Sequence, residues 1–463
     1  MQWIRAGRAL LPDGWAEVVR VAIAGGRIHA VETGGGDALP PGASGPAHRV
    51  DILLPAPVNL HSHAFQRAMA GLTESRGPRG SDSFWTWRQL MYRFLDRLTP
   101  DQVETIATLA FMEMLEAGYA AVAEFHYLHH DRGGAGYARP AEMAARIAAA
   151  AERTGIGLTL LPVLYMQGGC DGRPLEGGQL RFGCDLDRFA RLHQDSAALI
   201  ARAPGDFAIG VAPHSLRAVP PQALARLDEL APRGPVHMHL AEQEAEVAEV
   251  EARLGARPVA WALDNLPLGP RWCLIHCTQM TGAEAARLAR TGAVAGLCPI
   301  TEANLGDGIF PGAAFQDYGG RFGVGTDSNV RIALWDELMM LEYSQRLGGR
   351  IRAALAGGPG RSTGRTLFAA ALTGGAQAAG RDSGAIRPGL WADLLGLSAA
   401  DPDLCGRHGD RLIDALVFAG AGHGALRDLW SAGRHVVQGG RHVLREEILR
   451  AHAALAPALA AEA

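Results

Sequence analysis

His61-Ser62-His63, His214, His239, His276 and Asp327 are the residues of this 463-residue chain whose types and spacing suit metal chemistry. Each follows a short apolar run: the pair at 61 and 63 after the first, His214, His239 and His276 after three later ones, and Thr326-Asp327 after the last. If the runs are strands, alternation puts residues 61 and 63 on the same side, where both imidazoles reach one ion. Three or four nitrogen and oxygen donors with one position left open describe a catalytic zinc site, which activates water for hydrolysis. A single His-x-His pair is weak grounds, because a lone histidine is more often an ordinary hydrogen-bonded residue. Five strand ends furnished in this way outweigh that reading. His276 stands open between two roles, a metal ligand or a group that orients the water. His237 also points inward but deeper, as a packed core residue, and His29, His48, His408, His435, His442 and His452 take the ordinary reading.

The elements that must position these groups are legible as alternating short apolar runs and helical stretches, the pattern of a parallel sheet. Eight strand candidates occupy residues 52–60, 120–125, 157–164, 207–213, 236–240, 272–275, 293–298 and 321–325. The clearest helix opens with the capping box Thr99-Pro-Asp-Gln102, places Val103, Ile106, Ala110 and Met114 on one face and stops at Gly118. Eight such units predict an α/β chain built as a (β/α)8 TIM barrel, whose C-terminal strand ends form the active-site face. A doubly wound sheet is the rival, but no GxGxxG follows the first run. The ends differ in character. Residues 17–23 and 27–31, then 392–397, 412–418 and 436–443, read as strands among Gly-rich turns, with a Gly- and Pro-rich loop over 33–46. They predict a small β-sandwich domain, residues 1–55 plus 380–463, around a barrel at 56–379.

Composition excludes several classes. The formal net charge is −4 with 48% hydrophobic and 20% charged residues, so no basic stripe awaits nucleic acid. No apolar stretch is long enough to span a bilayer, and the first ten residues lack the apolar core of a signal peptide. A cytoplasmic protein with small-molecule partners is the expectation. Six cysteines without a CxxC pair read as reduced thiols. All 44 Lys+Arg residues are arginine. The absence of lysine forbids Schiff-base chemistry, a P-loop lysine and a carboxylated lysine bridging two metals.

His-x-His after the first strand, single histidines after the fifth and sixth, and Gly-Thr-Asp after the eighth resemble the amidohydrolase superfamily, over essentially the whole chain. Ile386-Arg-Pro-Gly-Leu-Trp-Ala-Asp-Leu-Leu395 is similar to that family's return strand into its small domain. His239-Leu-Ala-Glu242 resembles its deaminase branch. More specifically, residues 57–74 (PVNLHSHAFQRAMAGLTE), Phe84-Trp-Thr-Trp-Arg88, Glu124-Phe-His-Tyr127, Ala212-Pro-His-Ser-Leu-Arg217 and residues 298–308 (CPITEANLGDG) resemble the formiminoglutamate deiminases. The resemblance implies one Zn2+ per chain on His61, His63, His239 and Asp327, with Fe2+ or another divalent ion as rivals, since such donors tolerate several metals. It also implies a homodimer.

What that family does is attack of metal-generated hydroxide on the formimino carbon of N-formimino-L-glutamate, giving N-formyl-L-glutamate and ammonia in histidine degradation. Glu242 would carry the water's proton to the departing nitrogen; the alternative is a charge at the start of a helix over 242–254. His276 becomes the water-orienting group and Asp327 a second proton partner. A substrate with two carboxylates needs cations, and Arg88 and Arg217 suit bidentate clamps. Gln66, Tyr127 and His214 are neutral substrate contacts by resemblance. Two other readings compete: a deaminase of an aminated purine, pyrimidine or triazine ring, and a metal-free assembly protein on the same scaffold.

Overall fold

The computed structural model describes residues 1–34, 47–75 and 84–460. Most of the loop expected over 33–46 lies outside the described residues, as do the side chains of Phe84, Trp85 and Thr86 in the Trp-rich segment.

The chain begins with β1 (Gln2–Leu11), β2 (Gly14–Ala24), β3 (Arg27–Thr33) and β4 (His48–Pro55). Parallel strands follow: β5 (Val58–Ser62), β6 (Ala121–His126), β7 (Gly157–Leu164), the short pieces β8 (Ala208–Ile209) and β9 (Ala212–Pro213), β10 (Val236–Leu240), β11 (Trp272–His276), β12 (Val294–Leu297) and β13 (Arg321–Val324). The last strands are β14 (Leu394–Leu397), β15 (Leu426–Ser431), β16 (Arg434–Gln438) and β17 (Arg441–His442).

The parallel strands form two arcs, β5-β6-β7-β8 with β9 also on β7, and β10-β11-β12-β13. Among the described residues the strand pairing between the arcs consists of single parallel bridges, Ser62 to Asp327 and Val211 to Val236. Helices alternate with the strands as expected. The helix Pro100–Ala117 carries the predicted capping box, buries Val103, Ile106, Ala110 and Met114, and ends on Gly118 in the left-handed region. No helix among the described residues is long and apolar enough to cross a membrane.

The ends come together as expected: all eight terminal strands share one hydrogen-bonded sheet, in the order β17-β16-β15-β14-β4-β1-β2-β3. Every pairing in it is antiparallel except β1 with β4. Alternate residues of β1 and β2, among them Ile4, Ala6, Val19 and Val21, join Leu53, Leu394 and Trp430 in a separate apolar cluster.

Three strand assignments need correction. The run 52–60 is two strands, because the chain crosses from the terminal sheet to the first arc at Ala56-Pro57. There the Ala56 N–H donates to Asp393 O, and proline has no N–H to continue a ladder. The run 207–213 breaks into β8 and β9 around Gly210. Residues 412–418 are helical (Arg411–Phe418), with Leu412, Ile413, Leu416 and Val417 buried on one side; a seven-residue apolar run does not distinguish the two periods. In addition, 436–443 is a tight hairpin of β16 and β17 turning on Gly439 and Gly440, both at positive φ.

Where the terminal sheet meets the first arc, a buried ionic network is fully paired. Arg381 donates through Nε and Nη2 to Asp393 (2.7 and 3.0 Å), through Nη1 to Asp206 O (2.8 Å) and through Nη2 to Asp206 Oδ2 (3.3 Å). Arg434 adds a two-pronged contact to Asp206 at 2.8 and 2.6 Å. Gly157 makes room for this: a Cβ there would lie 2.6 Å from Arg381 Nη1.

Candidate active site

The C-terminal ends of β5, β10, β11 and β13 converge, and their backbones are bent sharply. Ala241, His276, Cys277, Asp327 and Asn329 all have positive φ, between 47° and 70°. Such conformations cost about 1–3 kcal/mol each for residues with a Cβ and persist where surroundings enforce them. At the β5–β13 seam the enforcement is visible. Asn329 Nδ2 donates to Ser62 Oγ (3.1 Å), His63 O (3.1 Å) and Asp327 O (3.2 Å), while its Oδ1 accepts from Thr326 Oγ1 (2.6 Å). Asn59 Nδ2 donates to Thr326 Oγ1 (2.7 Å), and the Thr326 N–H returns a bond to Asn59 Oδ1 (3.0 Å).

This brings together His61, His63, His239 and Asp327, all buried, with one donor atom from each within 4.8 Å of the others. Asp327 Oδ1 lies 3.3 Å from His61 Nε2 and 3.2 Å from His63 Nε2, and the Nε2 atoms of His61 and His239 are 3.1 Å apart. The far sides of two rings are committed: His63 Nδ1 to Phe125 O (3.0 Å) and His239 Nδ1 to His214 O (3.1 Å). A carbonyl only accepts, so these Nδ1 atoms carry protons and Nε2 is the nitrogen that each ring turns inward. Burial lowers the pKa of His61 to about 3 and that of His239 well below its usual value, keeping both neutral. Lone pairs facing lone pairs and a carboxylate form a donor set that fits a divalent cation.

Glu242 and His276 stand beside this cluster. His276 Nε2 is 3.8 Å from Glu242 Oε1 and 3.9 Å from Asp327 Oδ2, while its Nδ1 faces Glu302 Oε1 at 3.2 Å. Burial alone would lower the pKa of His276, but Glu242, the bonded Glu302 and Asp327 outweigh it and raise it to about 10. Burial raises the pKa of Glu242, against the pull of His276 and Arg217. The helix expected over 242–254 begins at Glu244 with Gln243 as its N-cap. Its N-terminal charge is supplied by Glu244 and Glu246, and Glu246 accepts the Ala241 and Glu242 N–H groups at 3.2 and 3.1 Å. Glu242 precedes that helix and its side chain lines the adjoining cavity.

That cavity, about 530 Å3 including its mouth, is also lined by Gln66, Arg88, Tyr127, His214 and Arg217, so the structure gathers every residue assigned to the substrate. Gln66 Nε2 donates to Tyr127 Oη at 2.7 Å, and Arg88 Nη2 to Tyr165 Oη at 2.7 Å. Arg217 Nε approaches the buried Glu246 carboxylate at 4.0 Å. His214 donates or accepts through Nδ1 to Ser215 Oγ at 3.0 Å, and burial, reinforced by Arg217 and Arg88, holds its pKa well below the usual value.

Sequence reasoning passed over Trp87, Met91, Tyr92, Tyr165, Phe182 and Leu305, which complete the walls, and Glu302 behind His276. Two had signals. Tyr165 directly follows β7, the same strand-end position that singled out the histidines, and Tyr92 sits one helical turn beyond Arg88 on the helix Phe84–Leu95. His237 is the core residue expected, with Nε2 2.7 Å from Ala378 O. All six cysteines are free.

Comparison with known proteins supplies the family. The amidohydrolase family pattern matches residues 52–436, and the pattern of the formimidoylglutamate deiminase HutF N-terminal domain matches residues 1–40. Formimidoylglutamate deiminase of Pseudomonas aeruginosa is 48% identical over 457 residues, covering 97% of this chain and 98% of its own. The crystal structure of an amidohydrolase from Brucella melitensis superposes with a TM-score of 0.93 at 48% identity, over 99% of this chain and 100% of that one. An adenosine deaminase from Xanthomonas campestris with bound zinc shares the fold at 23% identity and a TM-score of 0.81, over 100% and 99% of the two chains.

Proposed function

Starting from a chain that belongs to the amidohydrolase family, we propose that it hydrolyses N-formimino-L-glutamate to N-formyl-L-glutamate and ammonia, the deimination step of histidine degradation. It is a hydrolase acting on the C–N bond of a linear amidine. The observation that carries the substrate is one cavity in which a metal-type donor set, Glu242 and His276 face two arginines, Arg88 and Arg217.

The metal is one divalent ion, for which Zn2+ is our choice over Fe2+, held by His61, His63, His239 and Asp327. Bound there, it would supply the Lewis acidity that makes water acidic near neutral pH. Glu242 takes a proton from the attacking water as its oxygen adds to the formimino carbon. It then delivers a proton to the amidine nitrogen, so the C–N bond breaks with ammonia as the leaving group. His276, protonated at Nδ1 toward Glu302, directs Nε2–H at the entering oxygen. Asp327 offers its second carboxylate oxygen to the same proton traffic. Arg88 and Arg217 take the two carboxylates, with Gln66, Tyr127 and His214 fixing the chain between them. Half-buried and donating to Tyr165, Arg88 is held where a free surface arginine would not be.

The same reading takes the two arcs as one eight-stranded barrel over residues 56–379 and the ends, 1–55 plus 380–463, as a small domain. It assigns a homodimer and a cytoplasmic location. A ring deaminase is favoured by one feature, the aromatic walls of Trp87, Tyr92, Tyr165 and Phe182; paired guanidinium groups are a poor match for a neutral ring. The test is ammonia release from N-formimino-L-glutamate beside guanine and adenosine. Turnover of the rings without turnover of the formimino compound would reverse the choice.

A further inference from the structure

His48 and His435, given the ordinary reading in the sequence, meet on the terminal sheet, on strands from opposite ends of the chain. His48 opens β4, Asp428 lies in β15 and His435 in β16. Both imidazoles aim Nε2 at the same oxygen, Asp428 Oδ1, at 3.1 Å from His48 and 2.8 Å from His435. The two rings lie 4.7 Å apart, and each of the three residues offers a ligand atom within 4.8 Å of the others.

The arrangement is built rather than casual. Asp428 and Trp430 are two apart on β15, so both project from one face, and His435 pairs with Trp430 across the hairpin. The His435 ring stacks on that buried indole at 4.3 Å between centroids with 14° between planes, and His48 meets the same indole edge-on at 5.2 Å. Both rings are thereby held before any ligand arrives. β14 runs between β4 and β15, and Gly396 stands opposite Asp428. A Cβ at Gly396 would lie 3.0 Å from Asp428 Cβ and 2.8 Å from Val50 Cγ1, so the bare strand lets groups of β4 and β15 meet over it. The side chains of Asp428 and His435 are 13% and 18% exposed and that of His48 is 38% exposed. The group is therefore firmly seated yet open to solvent on one side.

We propose that His48, Asp428 and His435 form a second divalent-metal site, separate from the strand-end cluster, for Zn2+ or a similar ion that takes imidazole and carboxylate together. Two nitrogens and one oxygen fill three positions of a tetrahedral zinc and leave one for water. To bind, both rings place their proton on Nδ1 and turn the Nε2 lone pair to the ion, displacing the hydrogen bonds they make to Asp428. Competition with those bonds makes the site weaker than the buried cluster, where the far sides of His63 and His239 already hold the required tautomer. An ion here would tie β4, from the first part of the chain, to β15 and β16, from the last.

The experiment is titration of the holoenzyme, one ion already in place, with ZnCl2 by calorimetry and equilibrium dialysis, with Co2+ absorption as a second readout. The wild type should take up one further, weaker equivalent and gain in Tm. His48→Gln, which leaves the His435–Trp430 stack intact, and Asp428→Asn should lose that equivalent and the gain in Tm while keeping the first ion and full activity. Absence of a further equivalent in the wild type would overturn the proposal, as would its persistence in both variants. Because activity and the first ion are read in the same samples, failure here is distinguishable from failure of the deiminase reading.

Discussion

Asp206, Arg381 and Asp393, between the terminal sheet and the first arc, and His61, His63, His239 and Asp327, at the strand ends, are both clusters of ionisable groups removed from water. In the first, every guanidinium edge of Arg381 meets an acceptor, and Asp393 Oδ1 also accepts the Ala432 N–H at 2.7 Å. In the second, acceptors face acceptors, and the backbone around them is pushed into left-handed conformations. A charge network that is complete within the protein holds the structure together. One that is complete only with a cation added is kept at a cost in stability and belongs to the chemistry. The difference is one of satisfaction, not of burial or residue type.

Breaking each cluster should therefore give opposite results. The largest effect is expected from His61→Ala or His239→Ala: metal content and ammonia release should both fall to background while the fold, followed by circular dichroism, persists. Full metal content in both variants would remove them as ligands. A second ion lost together with the first, instead of with the His48 group, would overturn the one-ion reading of the strand ends.

Next is Glu242→Gln, which keeps the shape and removes the proton carrier. Metal should stay, and kcat should drop by roughly 10²–10⁴ or more, the range for general acid–base catalysis. Near-normal kcat would leave Glu242 without a catalytic role.

Smaller losses should follow from Arg88→Met or Arg217→Met. Charge-assisted bonds are worth about 1.5–3 kcal/mol, so kcat/KM for formiminoglutamate should fall about ten- to more than a hundredfold. A formimino compound lacking the matching carboxylate should lose much less, and equal losses on both would make the arginines structural.

The smallest effect on turnover belongs to the satisfied cluster. Arg381→Met should cost about 3–5 kcal/mol in denaturant unfolding, because the buried Asp393 carboxylate loses the guanidinium that pairs it, while Asp206 keeps Arg434. Activity per folded molecule should be unchanged. If it falls as far as in Glu242→Gln, the contrast between the clusters fails.

The strand-end residues were legible because parallel strands repeat one rule: the functional side chain comes just after an apolar run. His61, His63, His214, His239, His276 and Asp327 obey it, and so does Tyr165, whose phenol lacks the metal signature that drew attention to the others. What escaped was set by contacts distant in sequence. Glu302 acquires its place only because the helix Pro299–Leu305 lays it against His276, twenty-six residues earlier. His48 and His435 are unremarkable until β4 and β16 enter one sheet. The helix over 412–418 reads as a strand because its apolar run is too short to show its period, and the order of strands in the terminal sheet is not legible because pairing order leaves no mark on composition.

The clasp of Asn59 and Asn329 joins positions 266 and 267 residues apart. The donor set it aligns therefore has no counterpart on a growing chain until most of that chain has been made, and closing so long a loop is entropically costly and slow. Ion capture is then expected late, on chains whose seam has already closed. When denatured protein refolds with Zn2+ present from the start, uptake should coincide with the slowest recovery of native fluorescence; uptake in the first phase would mean that the ion organises the seam instead of inheriting it.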